Sequence, residues 1–241
     1  MSGCNVVISS AGRRVALLRS FRRAIDALGL DGRVYATDLS PLTAAGHDAD
    51  DLFAVPSCRT PAFIPAMLEL CQEREIRLVV PTIDTELAAY AAHRQDFADI
   101  GTTVAISSPE AVAIAADKRE THRWLVEQGF PTVRQASGAE VRADPDSWTF
   151  PSIVKPAGGS ASAGVAIVTD ATQIGTGHDL IVQELAPGIE HTVDAYVDRD
   201  GRVLTTVPRL RLEVRAGGRW EPVVTVEGNY HRFCVERLRP V

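Results

Sequence analysis

The sequence predicts an α/β fold in two parts: a doubly wound domain on a parallel sheet, then an α+β domain on an antiparallel sheet. Three observations carry that prediction. Through residue 112, short apolar runs alternate with amphipathic helical stretches. From residue 152 onward, apolar runs follow one another with only one short helical stretch between them. Between the two patterns, residues 134–150 are polar, proline-containing and aperiodic, and read as a connection over the surface.

The elements follow in order. Residues 6–9 are a continuous apolar run, as in a strand covered on both faces. The helix behind them carries Leu18, Phe21, Ile25 and Leu28 on one face and stops at Gly29. Strands are expected at 33–38 and 51–55, then a helix at 62–73 with Phe63, Met67 and Leu70 as its buried stripe. A strand at 78–82, a helix at 86–97 and a strand at 103–107 come next. Ser108 and Pro109 make a helix start, serine as cap and proline in the first turn. Asp117-Lys118-Arg119 opens another amphipathic helix, with Trp124 and Leu125 among its apolar residues, ending at Gly129. In the second half, strands are expected at 152–155, 165–169, 180–184, 191–198 and 203–214, with a short helix at 171–175. Asp198 to Gly201 is a turn, glycine taking the left-handed position.

Composition excludes several classes. A net charge of −6 argues against a general nucleic-acid binder, which needs a basic surface. Aromatics at 6% leave little for base-stacking platforms. Cys4, Cys58, Cys71 and Cys234 show no Cys-x-x-Cys spacing, and read as reduced thiols of a cytoplasmic protein. No leader peptide and no apolar run long enough for a bilayer is seen, so no membrane partner is expected. There is no internal repeat.

The chemistry centres on residues 152–165. Lys155 ends a short apolar strand, and nine residues drawn from Pro, Ala, Gly and Ser follow. Such a loop can turn N–H groups toward an anion with no side chain in the way. A lysine beside it is a candidate phosphate clamp; the plain alternative is a hairpin loop with an exposed lysine. In the first half, the turn 9–14 sits where Rossmann folds bind nucleotides, but it holds one glycine rather than the three of Gly-x-Gly-x-x-Gly. That disfavours a nicotinamide cofactor. Arg13 and Arg14 can meet an anion or be solvated charges, and Asp38 reads as a turn or cap residue. Asp84 and Glu86 stand at the carboxyl end of a strand, either lining a substrate site or capping the next helix.

Taken together these pieces resemble the ATP-grasp superfamily, and within it proteins similar to the large subunit of carbamoyl-phosphate synthase. The resemblance rests on residues 5–14, Pro81 to Leu87, Asp117-Lys118, Ile153 to Pro156 with its loop, Val182 to Glu190, Thr192 to Asp194, and 209–217. It implies a pre-ATP-grasp, Rossmann-like domain over 1–112 and a partial ATP-grasp domain over 113–241. It also implies ATP clamped between two antiparallel sheets. Lys118 and Lys155 match the phosphate-binding lysines. Gly158, Gly159, Ser160 and Gly164 match the flap over the phosphates. Gln183, Glu184, Leu185 and Ala186 match the adenine hinge, and Glu190 the ribose-binding acid. Arg209 and Arg211 alternate with leucines on one strand face, Glu213 beside them, and match anion-binding positions; Arg215 follows.

The family also implies Mg²⁺, yet its later Glu-x-Asn block followed by Pro-Arg is not found. Glu227-Gly-Asn229 has the lettering without the sequel. The ATP-grasp part is therefore expected to be C-terminally incomplete, with a homodimer or a partner chain supplying what is missing. The leading expectation is an ATP-dependent ligase joining a small-molecule carboxylate and amine through an acyl phosphate. The alternative is a non-catalytic nucleotide-binding or regulatory module.

Overall fold

The computed structural model describes residues 3–159, 164–188, 190–198, 200–210, 214–215 and 219–220. The chain forms two compact units, Met1–Trp124 and Leu125–Val241. The first contains β1 (Asn5–Ile8), α1 (Val15–Ala27), β2 (Val34–Asp38), α2 (Ala44–Asp48), β3 (Leu52–Ala54), α3 (Phe63–Glu73), β4 (Ile76–Val80), α4 (Asp84–Ala92), α5 (Arg94–Asp99), β5 (Thr103–Val104) and α6 (Pro109–Ala116). Helix α7 (Lys118–Glu127) runs across the division and buries none of its residues. Trp124, expected among its apolar residues, is 39% exposed.

The five strands pair in parallel in the order β3-β2-β1-β4-β5. Both faces are covered, which is why the strands read as unbroken apolar runs. Val6, Ile8, Val34 and Ala36 pack with Leu18 and Ile25 of α1. Val7, Tyr35 and Val79 pack on the other side with Phe63, Met67 and Tyr90. Tyr90 meets Phe63 edge-on, ring centroids 5.3 Å apart, and Phe97 at 5.6 Å.

Three details depart from the sequence reading. Leu28 is 71% exposed, because α1 ends at Ala27 and the chain turns away through Gly29 at φ +62°. Helix α2 is only five residues long, capped by Thr43, which accepts the Gly46 N–H. It is too short to show a period. The helix expected at 86–97 is two, meeting at His93, where ψ rises to 16° and the helical path breaks.

The second unit contains β6 (Gln135–Ser137), α8 (Gly138–Ala143), β7 (Ser152–Pro156), β8 (Ala166–Val168) and β9 (Leu180–Glu184). It continues with β10 (His191–Val197), β11 (Val203–Leu210), β12 (Val214–Arg215) and β13 (Arg219–Trp220). An antiparallel sheet runs β6-β9-β7-β8, β10 and β11 form a hairpin, and β12 pairs with β13. The segment between residues 134 and 150 is not a surface connection. It supplies β6, α8 and a 3₁₀ turn at Pro145–Ser147, and Val141 and Trp148 enter the core beside Val154, Val168, Ile174 and Val182. Ser137 caps α8, accepting the Glu140 N–H at 3.1 Å, while Glu140 accepts the Ser137 N–H at 2.7 Å. The Ser137 hydroxyl first, and then the Ser137 N–H, hold the Glu140 carboxyl below its ordinary value. Trp148 Nε1 donates to Ser152 Oγ at 2.8 Å, tying this segment to β7.

Candidate functional site

Strand alternation sorts the second unit's main sheet into two faces. Val154 and Val182 face the core. Ile153 and Lys155 therefore face the other way. Across from them stand Ile167, Gln183 and Ile181, in the register Ile153↔Ile167, Ile153↔Gln183 and Lys155↔Ile181. Gln183 Nε2 donates to Gln135 Oε1 of β6 at 2.8 Å, so an amide pair edges the same face. Ile181 is buried while Ile167 is 63% exposed. Among the described residues this face thus carries Lys155, a strip of isoleucine and a polar edge. That set suits a ligand with an apolar ring and an anionic tail.

The loop beyond Lys155 is anchored at both ends. Ala157 N–H donates to Asp179 O at 2.8 Å. Gly164, at φ +72°, closes it; the left-handed backbone favours glycine, and a Cβ there would crowd Pro156 Cγ at 3.0 Å. Gly159 has φ +84°, and a Cβ at Gly158 or Gly159 would meet nothing within 4 Å. Packing therefore does not require glycine at these two positions, and no side chain stands between their backbone and the open space beside it. Ser160 lies outside the described residues.

The remaining expected residues fall in three places. Gln183 and Glu184 end β9, but Glu184 pairs opposite Ser152 and so alternates away from the Lys155 face. Leu185 and Ala186 are exposed in the segment that leads to Glu190, also exposed, just before β10. Arg209 lies on β11 opposite Thr192, its Nη2 paired with Asp194 Oδ2 at 2.5 Å. Arg211 and Glu213 lie outside the described residues. Lys118 is the first residue of α7, in the other unit. Beside it, Asp117 holds Arg119 through Nε at 3.0 Å, and that contact keeps the Asp117 carboxyl below its ordinary value.

Of the first unit's candidates, Glu86, Arg14 and Asp38 make structural contacts, while Arg13 and Asp84 are exposed. Glu86 is fully buried. Its Oε2 accepts Ser9 Oγ at 2.7 Å and Ser10 Oγ at 2.8 Å; its Oε1 accepts the N–H groups of Thr82 at 2.6 Å and Ile83 at 3.2 Å. Isoleucine has no side-chain acceptor, so only the glutamate half of a capping box forms. Ser9 Oγ also bonds Tyr90 OH at 2.8 Å, and burial pushes that phenol well above its ordinary value. Arg14 donates to Thr82 O at 2.8 Å, and Asp38 accepts the Gly12 N–H at 2.9 Å. These contacts lock the first turn to the end of β2 and to the segment just after β4. Gln135 and Asp194 escaped the sequence reading as site residues. Gln135 lies in a strand of three residues, and Asp194 is one acid in an alternating run.

Among the described residues, no group of three or more His, Cys, Asp or Glu side chains gathers as a metal site. Glu227 and Asn229 lie outside those residues. No described helix is long and apolar enough to cross a membrane.

No curated protein matches the sequence. Several solved structures share the fold. The biotin carboxylase domain of Hydrogenobacter thermophilus 2-oxoglutarate carboxylase, in complex with MgADP, ADP and bicarbonate, is 15% identical over 99% of this chain, with TM-score 0.71. An L-amino acid ligase from Bacillus licheniformis is 15% identical over 99%, with TM-score 0.69. N5-carboxyaminoimidazole ribonucleotide synthetase from Thermotoga maritima is 16% identical over 97%, with TM-score 0.65. The chain spans 58%, 59% and 59% of those three structures. At such identities the likeness speaks for fold alone. Residues 6–105 match the PylC-like N-terminal domain. Residues 115–236, half of the chain, match the ATP-grasp domain, and the protein belongs to that family.

Proposed function

We propose that this chain binds ATP on the Lys155 face and serves an ATP-dependent ligase that joins a small-molecule carboxylate to an amine. The observation that carries the reading is the face itself: Lys155 beside Ile153, Ile167, Ile181 and Gln183, next to a loop that carries no side chain at Gly158 and Gly159. In this reading the Lys155 ammonium offsets phosphate charge as a fixed point charge. The isoleucines take the base, and Gln183, the main chain of Glu184, Leu185 and Ala186 pair with its edge. Glu190 accepts the ribose hydroxyls. Gly158, Gly159, Ser160 and Gly164 form the flap that excludes water. Lys118 is assigned a phosphate on family resemblance, and the proposed functional parts remain 1–112 and 113–241.

The chemistry follows from the residue types. A carboxylate oxygen takes the γ-phosphoryl group and ADP leaves; the amine then attacks the acyl carbon and phosphate leaves. Arg209 and Arg211 are the proposed groups that hold the oxyanion. Mg²⁺, if bound, would offset phosphate charge, although no group of three or more His, Cys, Asp or Glu side chains among the described residues gathers to hold it. The resemblance to carbamoyl-phosphate synthase keeps carbamoyl-type chemistry within the same proposal. The test is calorimetry of the purified chain with ATP, followed by ADP release in Mg²⁺ with carboxylate and amine mixtures. Saturable ATP binding that Lys155→Ala removes supports the site; an affinity untouched by that substitution counts against it. ATP binding with no ADP release from any mixture marks a nucleotide-binding module instead.

A further inference from the structure

Arg19 and Arg119 each grip an aspartate with both donors of one guanidinium edge. Arg19 reaches Asp48 through Nε at 3.0 Å and Nη2 at 2.7 Å. Arg119 reaches Asp117 through Nε at 3.0 Å and Nη2 at 2.5 Å. Arg209 does not. Its Nη2 lies 2.5 Å from Asp194 Oδ2, while its Nε is buried and has no partner among the described residues. The hairpin register accounts for this. Arg209 stands opposite Thr192 and Asp194 opposite Val207, so the two are diagonal neighbours on one face. On that diagonal the aspartate meets one nitrogen of the fork and misses the other.

We propose that Asp194 is a placeholder at Arg209, holding the site for a substrate oxyanion that takes the whole Nε–Nη2 edge and displaces it. The proposal rests on the ligase reading above and names the charge class of the group Arg209 receives: a carboxylate or a phosphate. A two-oxygen anion set on that edge satisfies both donors at once. Asp194 leaves one N–H buried without an acceptor, an arrangement that costs free energy. Its own side chain is 58% exposed, so it returns to water readily when displaced. The closed pairs at Arg19 and Arg119 have no such half-used edge.

The experiment follows the Arg209 Nε–H resonance in [¹⁵N]arginine-labelled full chain, assigned by its loss in Arg209→Gln. Inorganic phosphate and acetate are titrated in separate arms. A saturable shift is expected in at least one arm, and the tighter arm names the group. Asp194→Asn is expected to tighten that midpoint about threefold, the size of a part-exposed ion pair released from competition. A resonance that neither anion moves overturns the proposal. So does an Asp194→Asn midpoint that is unchanged or weaker, since that is the mark of an aspartate that merely orients the arginine. ATP calorimetry on the same samples reads the ligase proposal separately. Lost ATP binding with an intact anion response removes the nucleotide site only, and the converse removes the placeholder only.

Discussion

The ends of the two units' sheets treat their charged side chains in opposite ways. At the carboxyl end of the first unit's sheet, Glu86 is fully buried and its two oxygens accept four donors. In the second unit, Ile167 stands 63% exposed on the face of Lys155, and Arg209 keeps a buried Nε without an acceptor among the described residues. Both sites looked chemically able from their residue types. The difference teaches that saturation separates an acid that holds a fold together from a group arranged to meet something else.

The largest effect that sharpens this contrast is expected from Glu86→Ala. It leaves two hydroxyls and two backbone N–H groups without their acceptor, and should cost about 3 kcal/mol of stability by urea denaturation. ATP affinity of the folded fraction should not change; a fall would make Glu86 part of the ligand site. Lys155→Ala is the mirror image. It should cost about 2 kcal/mol of ATP binding, roughly thirtyfold, with little change in the urea midpoint. Gly164→Ala comes next, at about 1–2 kcal/mol of stability, because alanine must adopt φ +72° against Pro156. A neutral result would mean that the loop closes by another path.

Ser137→Ala gives the smallest effect, about 1 kcal/mol for a lost helix cap. It also carries a pH signature. The Glu140 carboxyl is held below its ordinary value, first by the Ser137 hydroxyl and then by the Ser137 N–H. A depressed carboxylate stabilises the fold above its unfolded value, near 4.3, and that contribution fades as pH falls through the folded value. The variant should therefore lose less stability than the parent on going from about pH 6 to pH 3. Urea midpoints at the two pH values measure it, and equal losses would remove Glu140 as a contributor.

Much of the fold was legible because it is written locally. Apolar runs at residues 6–9 and 33–38, the stripe Phe63-Met67-Leu70, the cap at Ser108 and the stop at Gly29 each report a short-range preference, and each matches an element or its end. The stretch 134–150 failed for the same reason. Its strand has three residues and its helix six, less than two full turns, so no period could emerge. Lys155 and its loop stood out by composition. Asp194 did not, because what distinguishes it is a diagonal contact to Arg209 fifteen positions away in the chain.

By itself the sequence determined the alternation of elements, the change of pattern between the halves, and the glycines that only a left-handed backbone explains. These depend on neighbours in the chain, whose preferences survive without the rest of the molecule. Tertiary structure decided which face of β7 holds Lys155, that Glu86 is consumed by four donors, and that Arg209 meets its aspartate with half an edge. Those outcomes depend on strand register and burial, which arise only when distant segments pair and exclude water.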